Sequence, residues 1–281
     1  MKFSYYPGCS LEATAREYDR SARSVCRLLG IELAEVPDWS CCGASSAHSV
    51  NGKLAVALPT RTIAQAQEAG NDLVTPCPAC SNRLKRADHA LRRDAPLRAE
   101  MEELLGFTYT GTVRIYSLLE AVVHFFGPKE ISRLVKKPLS GLKVVCYYGC
   151  LLVRPPEVVN FDRPENPVSM DNLVAALGAE VKNWSYKTEC CGAHQGIVNR
   201  NYSAHLVNIL LTMAEEAGAQ ALVVGCPFCQ AALEMRRDPA LPLPSFYFTE
   251  LLELALGVPE EKIWFGRHLV DPRPLLRRLA G

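Results

Sequence analysis

Ten of the twelve cysteines fall into two sets that share one order and one spacing. Each set has a single cysteine, then a vicinal pair, then a C-x-x-C pair. Between the vicinal pair and the C-x-x-C pair lie 34 residues in both sets (43–76 and 192–225). The spacer before the vicinal pair is 31 residues in one set and 39 in the other, and the extra eight fit the proline-rich stretch 154–167. Such agreement indicates an internal duplication. The sets are Cys9, Cys41, Cys42, Cys77 and Cys80, and Cys150, Cys190, Cys191, Cys226 and Cys229.

The words around the cysteines repeat as well. "YYPGCS" (5–10) corresponds to "CYYGCL" (146–151), "SCCGA" (40–44) to "ECCGA" (189–193), and "VTPCPAC" (74–80) to "VVGCPFC" (223–229). Two units are too few for a solenoid, so we expect a pseudo-symmetric pair of domains. The polar segment 127–141, with Gly and Pro near both ends, is the predicted join. The expected division is a first domain over 1–127, a linker over 128–142 and a second domain over 143–281.

Short β-like runs alternate with helical patterns in each copy. The runs at 2–6, 143–148, 221–225 and 243–248 read as strands, and 13–30 and 201–218 read as helices that end in glycine. This alternation predicts an α/β fold of two pseudo-symmetric repeats with βαβ-type, Rossmann-like units and a mostly parallel sheet. We expect the cysteines just beyond the carboxyl ends of strands, where open α/β sheets place ligands. Each C-x-x-C pair then starts a helix, whose amide dipoles favour thiolate.

Composition excludes several classes of function. The 31 basic and 30 acidic residues nearly cancel, so there is no electrostatic footprint for nucleic acid. No apolar run has the ~18 residues of a membrane span, and the N-terminus lacks the apolar core of a signal peptide. We therefore expect a cytoplasmic protein without a transmembrane segment. In a reducing compartment clustered thiols bind metal or do redox chemistry, which disfavours a disulfide scaffold.

The C-x-x-C pairs alone leave two kinds of metal site open. Zinc needs four ligands, and Cys77 with Cys80 plus two further thiols would make a closed tetrahedral site. Five cysteines per copy exceed that number, and neighbouring side chains of a vicinal pair tend to point apart. A cluster of several irons can use both of those sulfurs, and Gly43 and Gly192 suit a close approach of the backbone to a bulky ligand. The usual ferredoxin pattern is absent from the chain.

The doubled Cys…CysCysGly…CysProXaaCys pattern resembles the cysteine-rich CCG domain pair of the heterodisulfide reductase B subunit (HdrB) and its relatives. "PVSMDNLVAALGAE" (167–180) and "CPFCQAALEMRRD" (226–238) extend the resemblance to nearly the whole chain. The resemblance implies one non-cubane [4Fe–4S] cluster per copy, held by five thiolates. The matching positions are Cys9, Cys41, Cys42, Cys77 and Cys80 in one copy and Cys150, Cys190, Cys191, Cys226 and Cys229 in the other.

The resemblance also implies a reaction, namely reduction of a heterodisulfide between two clusters, or its reverse, the oxidation of thiols. The chain has no G-x-G-x-x-G motif and no ferredoxin module. By the same resemblance we expect a ferredoxin-like C subunit and a flavin-containing A subunit as partners, with a small thiol or disulfide as substrate. Two alternatives remain: an electron-transfer subunit of a succinate dehydrogenase-type, quinone-linked complex, and a zinc-binding interaction protein.

Some residues outside the two sets are also candidates. His194 and His48 each follow a CCG motif, and His194 is the preferred candidate for giving a proton to a leaving thiolate. Their offsets from the cysteines differ, so the duplication does not support a shared role. Cys26 and Cys146 lie outside the pattern, with Tyr5 opposite Cys146 in the other copy, and both are expected to be core residues. The basic stretch "RLKRADHALRR" (83–93) is interpreted as a solvated helix face.

Overall fold

The computed structural model describes residues 1–44, 47–196 and 198–280. Within these ranges the strands form two four-stranded sheets, and all neighbouring strands are parallel. The predicted α/β architecture with two pseudo-symmetric halves is confirmed, because both sheets have the order second, first, third, fourth strand of their half. The strands are β1 (Lys2–Tyr5), β2 (Glu32–Glu35), β3 (Leu73–Thr75) and β4 (Ile115–Ser117), then β5 (Lys143–Tyr147), β6 (Glu180–Val181), β7 (Ala221–Val224) and β8 (Ser245–Tyr247).

Helices connect the strands and cover the sheets in both halves. The predicted helices at 13–30 and 201–218 are found with shorter bounds, as α2 and α11 below. In the first half the helices are α1 (Gly8–Ala13), α2 (Arg16–Leu28), α3 (Ala47–Val50), α4 (Gly52–Glu68), α5 (Pro78–Arg93), α6 (Ala95–Leu105) and α7 (Leu118–Phe125). Then follow α8 (Gly127–Leu134), α9 (Pro156–Val159), α10 (Ser169–Ala176), α11 (Arg200–Glu216), α12 (Pro227–Met235), α13 (Phe248–Ala255), two 3₁₀ turns (Glu260–Lys262 and Phe265–Arg267) and α14 (Arg273–Ala280).

Apart from the exposed lysine that begins β1 and β5, the inner strands of the two sheets are buried, as parallel strands covered on both faces require. Every residue of β3 and of β7 is buried. Tyr5 of β1 pairs with Val74 of β3, and Tyr147 of β5 pairs with Val224 of β7. The two sheets thus share one register. Because parallel strands point the same way, the segments that follow β1 and β3, or β5 and β7, leave the same edge of their sheet.

The two halves pack against each other through one continuous apolar core. Helix α2 of the first half lies against α13 of the second, where the hydroxyls of Ser21 and Thr249 are 2.7 Å apart. Arg20 and the buried Glu253 form an ion pair of 3.2 Å across the same contact. The segment predicted as a linker, 128–142, contains most of α8. The division into two domains stays a prediction, and residue 281, its predicted end, lies outside the described residues.

The proline-rich stretch of the second copy lies on the other side of this contact. Lys85 Nζ on α5 donates to the carbonyl oxygen of Val159 at 3.0 Å. Asn82 Nδ2, one turn earlier on α5, donates to the carbonyl oxygen of Arg154 at 2.7 Å. The additional eight residues of the second copy therefore dock onto the first. Lys85 is buried, so the interpretation of 83–93 as a fully solvated face is wrong at this position.

Candidate metal centre

Both C-x-x-C pairs begin a helix directly after an inner strand. Cys77 follows β3 and is the N-cap residue of α5, and Cys226 follows β7 and is the N-cap residue of α12. A proline occupies the first turn in each case, where its missing N–H costs no helical hydrogen bond. The remaining amides of the first turn point their dipole at the thiols, which favours the thiolate form. Cys9, expected beyond the end of a strand, lies in the first turn of α1, four residues after the last residue of β1.

The two cysteines of each vicinal pair occupy different surroundings. Cys42 is buried, and its Sγ lies 3.3 Å from Sγ of Cys80, whereas Cys41 is only half-buried. The second copy repeats this arrangement, with Cys191 Sγ 3.5 Å from Cys229 Sγ. The first thiol of each pair accepts a hydrogen bond from a glycine amide: Gly43 N lies 3.4 Å from Cys41 Sγ, and Gly192 N lies 3.3 Å from Cys190 Sγ.

Glycines contact the thiols, but at positions other than those expected. A Cβ on Gly8 would lie 2.9 Å from Cys80 Sγ, and one on Gly149 would lie 3.0 Å from Cys229 Sγ. Both residues also have a left-handed φ, of 72° and 65°. At Gly43 a Cβ would meet the side chain of Ala47 and not a thiol. Gly192 similarly packs against α11. The glycines that the thiols require are therefore Gly8 and Gly149, in the repeated Gly-Cys pairs.

A tyrosine stands among the thiols in each copy, and the sequence reasoning missed both. Tyr6 donates its hydroxyl to the carbonyl oxygen of Ser40 at 2.8 Å, and Tyr147 donates to that of Glu189 at 2.7 Å. Both acceptors directly precede a vicinal cysteine pair. Tyr6 and Tyr147 each lie three residues before the first cysteine of their set, so the repeated "YYPGCS" and "CYYGCL" words carried the signal.

Burial and the surrounding thiols raise the pKa of both tyrosine hydroxyls. Burial raises the pKa of Tyr6, and the charges of four cysteines raise it further; these are Cys80, Cys42, Cys41 and Cys9. Burial likewise raises the pKa of Tyr147, followed by the charges of Cys229, Cys191, Cys150 and Cys190. The four partners are the same members of the two sets. Sequence-distant thiols therefore converge in the same way in both copies.

Hydrogen bonds among the thiols divide them into proton donors and thiolates. Hydrogen bonds from Cys41 and Cys80 lower the pKa of Cys42 to about 3. A hydrogen bond from Cys229 lowers the pKa of Cys191, and one from Cys150 lowers that of Cys190 to about 6. Thiolate is the form of cysteine that binds soft metals. These hydrogen bonds therefore favour the thiolate form in at least one cysteine of each set.

A cavity of about 160 Å³ lies at the boundary between the halves. Its wall includes every cysteine of the second set, together with Pro78 and Ala79 from the start of α5 in the first half. His194, Phe228 and Tyr148 complete much of the remaining wall. Liquid water occupies about 30 Å³ per molecule, so the volume accommodates a group of several heavy atoms. The five thiols thus line a space larger than one metal ion occupies.

His194, the candidate proton donor, lines this cavity. Its ring packs edge-on against Phe228, with ring centroids 5.3 Å apart. Partial burial and the nearby charges of His48 and Arg83 lower the pKa of His194. His48 is exposed and belongs to the first copy, so the fold brings the two histidines near each other although their offsets in the sequence differ. Cys26 and Cys146 are both buried in the core, as expected.

The described part of the chain has neither a ready-made site for a single metal ion nor a membrane-spanning helix. No group of three or more His, Cys, Asp or Glu side chains in residues 1–44, 47–196 and 198–280 is arranged to hold a single metal ion. Over the same residues, no helix combines the length and apolar character that crossing a bilayer requires.

Comparison with known proteins places the chain in a family. Residues 3–85 and 144–234 both match the CCG family, described as a cysteine-rich domain. The chain is 31% identical to the 8-methylmenaquinol:fumarate reductase membrane anchor subunit of Wolinella succinogenes, over 98% of this chain and 99% of that protein. It is 28% identical to the B subunit of the ferredoxin:CoB-CoM heterodisulfide reductase of Methanosarcina mazei, over 99% and 97% of the two chains. A protein of Archaeoglobus profundus, named as similar to the heterodisulfide reductase B subunit, is 27% identical over 94% and 93%.

A solved structure has the same fold. The crystal structure of a hypothetical protein from Helicobacter pylori superposes with a TM-score of 0.77 at 13% identity. The match covers 96% of this chain, which spans about half, 52%, of the other. The two matched segments together hold all ten cysteines of the repeated sets. The chain therefore belongs to the cysteine-rich CCG domain family, with two copies of the domain, and is related along nearly its whole length to heterodisulfide reductase B subunits.

Proposed function

We propose that this chain is the iron–sulfur subunit of a heterodisulfide reductase-like complex, in which it reduces a disulfide or oxidises thiols. The observation that carries the proposal is the cavity between the halves, whose wall holds all five cysteines of the second set. Its relatives include subunits named for reduction of the CoB-CoM heterodisulfide.

Each set of five thiols would hold one non-cubane [4Fe–4S] cluster. The donor set fits such a group: five sulfurs per copy, thiolates among them, and in the second copy a cavity of about 160 Å³. Gly8 and Gly149 leave the neighbouring sulfurs unobstructed, since a Cβ at either position would touch a thiol. When bound, the group supplies electrons one at a time and an iron that can accept a sulfur ligand.

The chain's own residues would bind and orient the substrate. Cleaving one disulfide takes up two electrons and two protons and releases two thiols, and the duplicated site matches this electron count. Phe228 and Leu151 would give the substrate an apolar stretch of the cavity wall. His194 lines the same wall and would pass a proton to a leaving thiolate, a transfer that its lowered pKa favours. A ferredoxin-like C subunit and a flavin-containing A subunit would deliver the electrons.

A second function is supported by one specific relative. The Wolinella protein, at 31% identity, is named as the membrane anchor subunit of a quinol:fumarate reductase. On this alternative the same metal centres would pass electrons between a quinone pool and partner subunits, and no disulfide would be cleaved. The complex purified with its partners separates the two functions. Reduction of a disulfide by reduced viologen supports the first, whereas menaquinol oxidation without disulfide turnover supports the second.

The experiment that tests the metal centre is a metal analysis of anaerobically purified protein. Roughly eight irons per chain with matching acid-labile sulfide are expected for two four-iron clusters. Cys191→Ala should remove about half of the iron and abolish disulfide turnover. Cys26→Ala is the matched control, because Cys26 is buried in the core outside both sets. About two zincs per chain without sulfide, or full activity of the Cys191 variant, would contradict the proposal.

A further inference from the structure

Tyr18 lies at the meeting point of the two C-x-x-C loops. Its side chain is completely buried on α2. The hydroxyl oxygen lies 3.2 Å from the carbonyl oxygen of Pro76 and 3.0 Å from that of Gly225. Pro76 and Gly225 directly precede Cys77 and Cys226, the first cysteines of the two C-x-x-C pairs. One phenol proton is thus shared between the loops of both copies.

The second half of the protein holds the ring of Tyr18 in place. The ring stacks on that of Tyr247, with centroids 4.0 Å apart and planes 5° from parallel. Phe248 packs edge-on against the same ring at 6.5 Å. Tyr18 belongs to the first half, whereas both aromatic partners belong to the second. The hydroxyl cannot leave one loop without the ring moving against this stack.

The two carbonyl oxygens depend on this hydroxyl. Among the described residues, no other hydrogen bond reaches the carbonyl oxygen of Pro76 or of Gly225. Buried carbonyl groups need a donor, so the phenol satisfies one acceptor in each copy. Burial raises the pKa of Tyr18, and the charges of Cys226 and Cys77 raise it further, so the hydroxyl stays protonated.

The contact is not a by-product of the duplication. The helix that occupies the place of α2 in the second copy is α10, between β5 and β6. Its sequence, "SMDNLVAA", has no aromatic residue. The opposite side of the boundary is held instead by Asn82 and Lys85, which bond to backbone carbonyls of the second copy. Tyr18 therefore makes a single connection that the symmetric pattern does not demand.

We infer that Tyr18 is a positioning residue that fixes the separation of the two C-x-x-C loops, so that both cysteine sets face one substrate. That both sets face one substrate rests on the proposed function, whereas the hydrogen bonds of Tyr18 to both loops do not depend on it. If the two loops moved independently, each set could keep its metal centre while the distance between the centres varied. Tyr18 ties the backbone immediately before a thiol in one copy to the corresponding backbone in the other.

The test compares Tyr18→Phe with Tyr5→Phe in the full chain. Tyr18→Phe removes only the shared hydroxyl and keeps the stacked ring. Tyr5→Phe is the matched control, since Tyr5 is equally buried and donates to Asp19 at 2.7 Å within the first half. In metal-free protein, amide hydrogen exchange should accelerate in both 76–81 and 225–230 of the Tyr18 variant, by roughly fivefold, the factor that one lost hydrogen bond corresponds to. The Tyr5 variant should leave both segments unchanged.

A second readout uses the iron-loaded protein. Tyr18→Phe should keep the iron content of the unaltered chain but weaken the magnetic interaction between the two reduced centres in electron paramagnetic resonance. Unchanged exchange in both loops, or a change confined to one loop, would overturn the inference. If neither variant nor the unaltered chain binds iron, the proposed function fails, while the exchange measurement still decides whether Tyr18 couples the loops.

Discussion

At the scale of single residues, the repeated segments that end at Cys9 and Cys150 contain more than a candidate metal ligand. Tyr6 and Tyr147 hold the backbone just before the vicinal cysteines. Gly8 and Gly149 adopt a left-handed φ that carries the chain from a strand past a thiol of the C-x-x-C pair. A tyrosine and a glycine at fixed offsets from a cysteine therefore build one wall of each site. The segments 5–10 and 146–151 are alike because they form the same part of the site in each copy.

The glycine requirement can be tested against a position with the same backbone strain. Gly8→Ala should destabilise the protein and reduce its iron content, because the new Cβ would lie 2.9 Å from Cys80 Sγ. Gly30→Ala is the control: its φ is 71° against 72° for Gly8, but nothing lies within 4 Å of its Cβ. Both changes should cost about 1 kcal/mol for the backbone conformation. Only Gly8→Ala should lose iron, measured after anaerobic purification, and equal iron contents would contradict the assigned contact.

At the scale of elements, the two copies neutralise a corresponding buried carboxylate with different cations. In the first, Lys85 on α5 pairs with Glu120, in the first turn of α7, at 2.7 Å. The second copy has Glu234 at the position of Lys85, opposite the buried Glu250 on α13. Two carboxylates there would repel each other. His268 lies between them, 3.2 Å from Glu234 and 2.8 Å from Glu250, and supplies the missing cation.

This arrangement predicts a pH dependence of stability. Burial disfavours the charged imidazole, but Glu250 and Glu234 outweigh it and raise the pKa of His268 from 6.5 to about 10. Glu17 from α2, paired with Arg267 at 3.3 Å, also faces this group. Since the folded-state pKa is raised, the stabilisation is fully present below pH 6.5 and is lost as the pH rises towards 10.

The measurement is the free energy of unfolding of the unaltered chain and of His268→Gln between about pH 6 and about pH 10. The difference between the two proteins should be largest at the acidic end and shrink steadily above pH 6.5. Lys143→Gln, a change at an exposed cation, should leave the profile of the unaltered protein unchanged. A difference that stays constant with pH would show that the imidazole is neutral in the folded protein.

At the scale of the whole molecule, the halves are joined asymmetrically although each is built alike. Helix α2 packs on α13 on one side, through Tyr18, Ser21 and Arg20. On the other side the proline-rich insertion of the second copy receives hydrogen bonds from α5. Because one apolar core continues through both halves, we expect them to unfold as a single cooperative unit.

The contact between α2 and α13 gives the prediction at this scale. Arg20→Ala should destabilise the protein by about 2 kcal/mol, because it leaves the fully buried Glu253 without its cation while Arg20 itself is partly exposed. Arg133→Ala is the control, since its pair with Glu130 is exposed on both sides and should contribute less than about 0.5 kcal/mol. Denaturant titration measures both. Two separate transitions in either protein would contradict a shared core.

The sequence by itself determined the duplication, the parallel α/β architecture and the identity of the ten candidate ligands. These are local properties: spacing, hydrophobic period and turn residues act within each copy and repeat without reference to the other. The same periodicity predicted the ends of strands to within one or two residues of their observed positions. For example, β1 was predicted to end at Tyr6 and ends at Tyr5. The sequence also shows that Tyr6 and Tyr147 lie at the same distance before the first cysteine of their set, but it does not show their role.

Only the tertiary structure decided how the halves meet. Nothing in the sequence near Tyr18 indicates that its hydroxyl reaches Gly225, 207 residues further along the chain, at 3.0 Å. The pairing of His268 with Glu234 and Glu250, the burial of Lys85 and the approach of His48 to His194 are of the same kind. Such contacts depend on the relative placement of two packed units. That placement follows from the side-chain packing of one shared core, which no local pattern encodes.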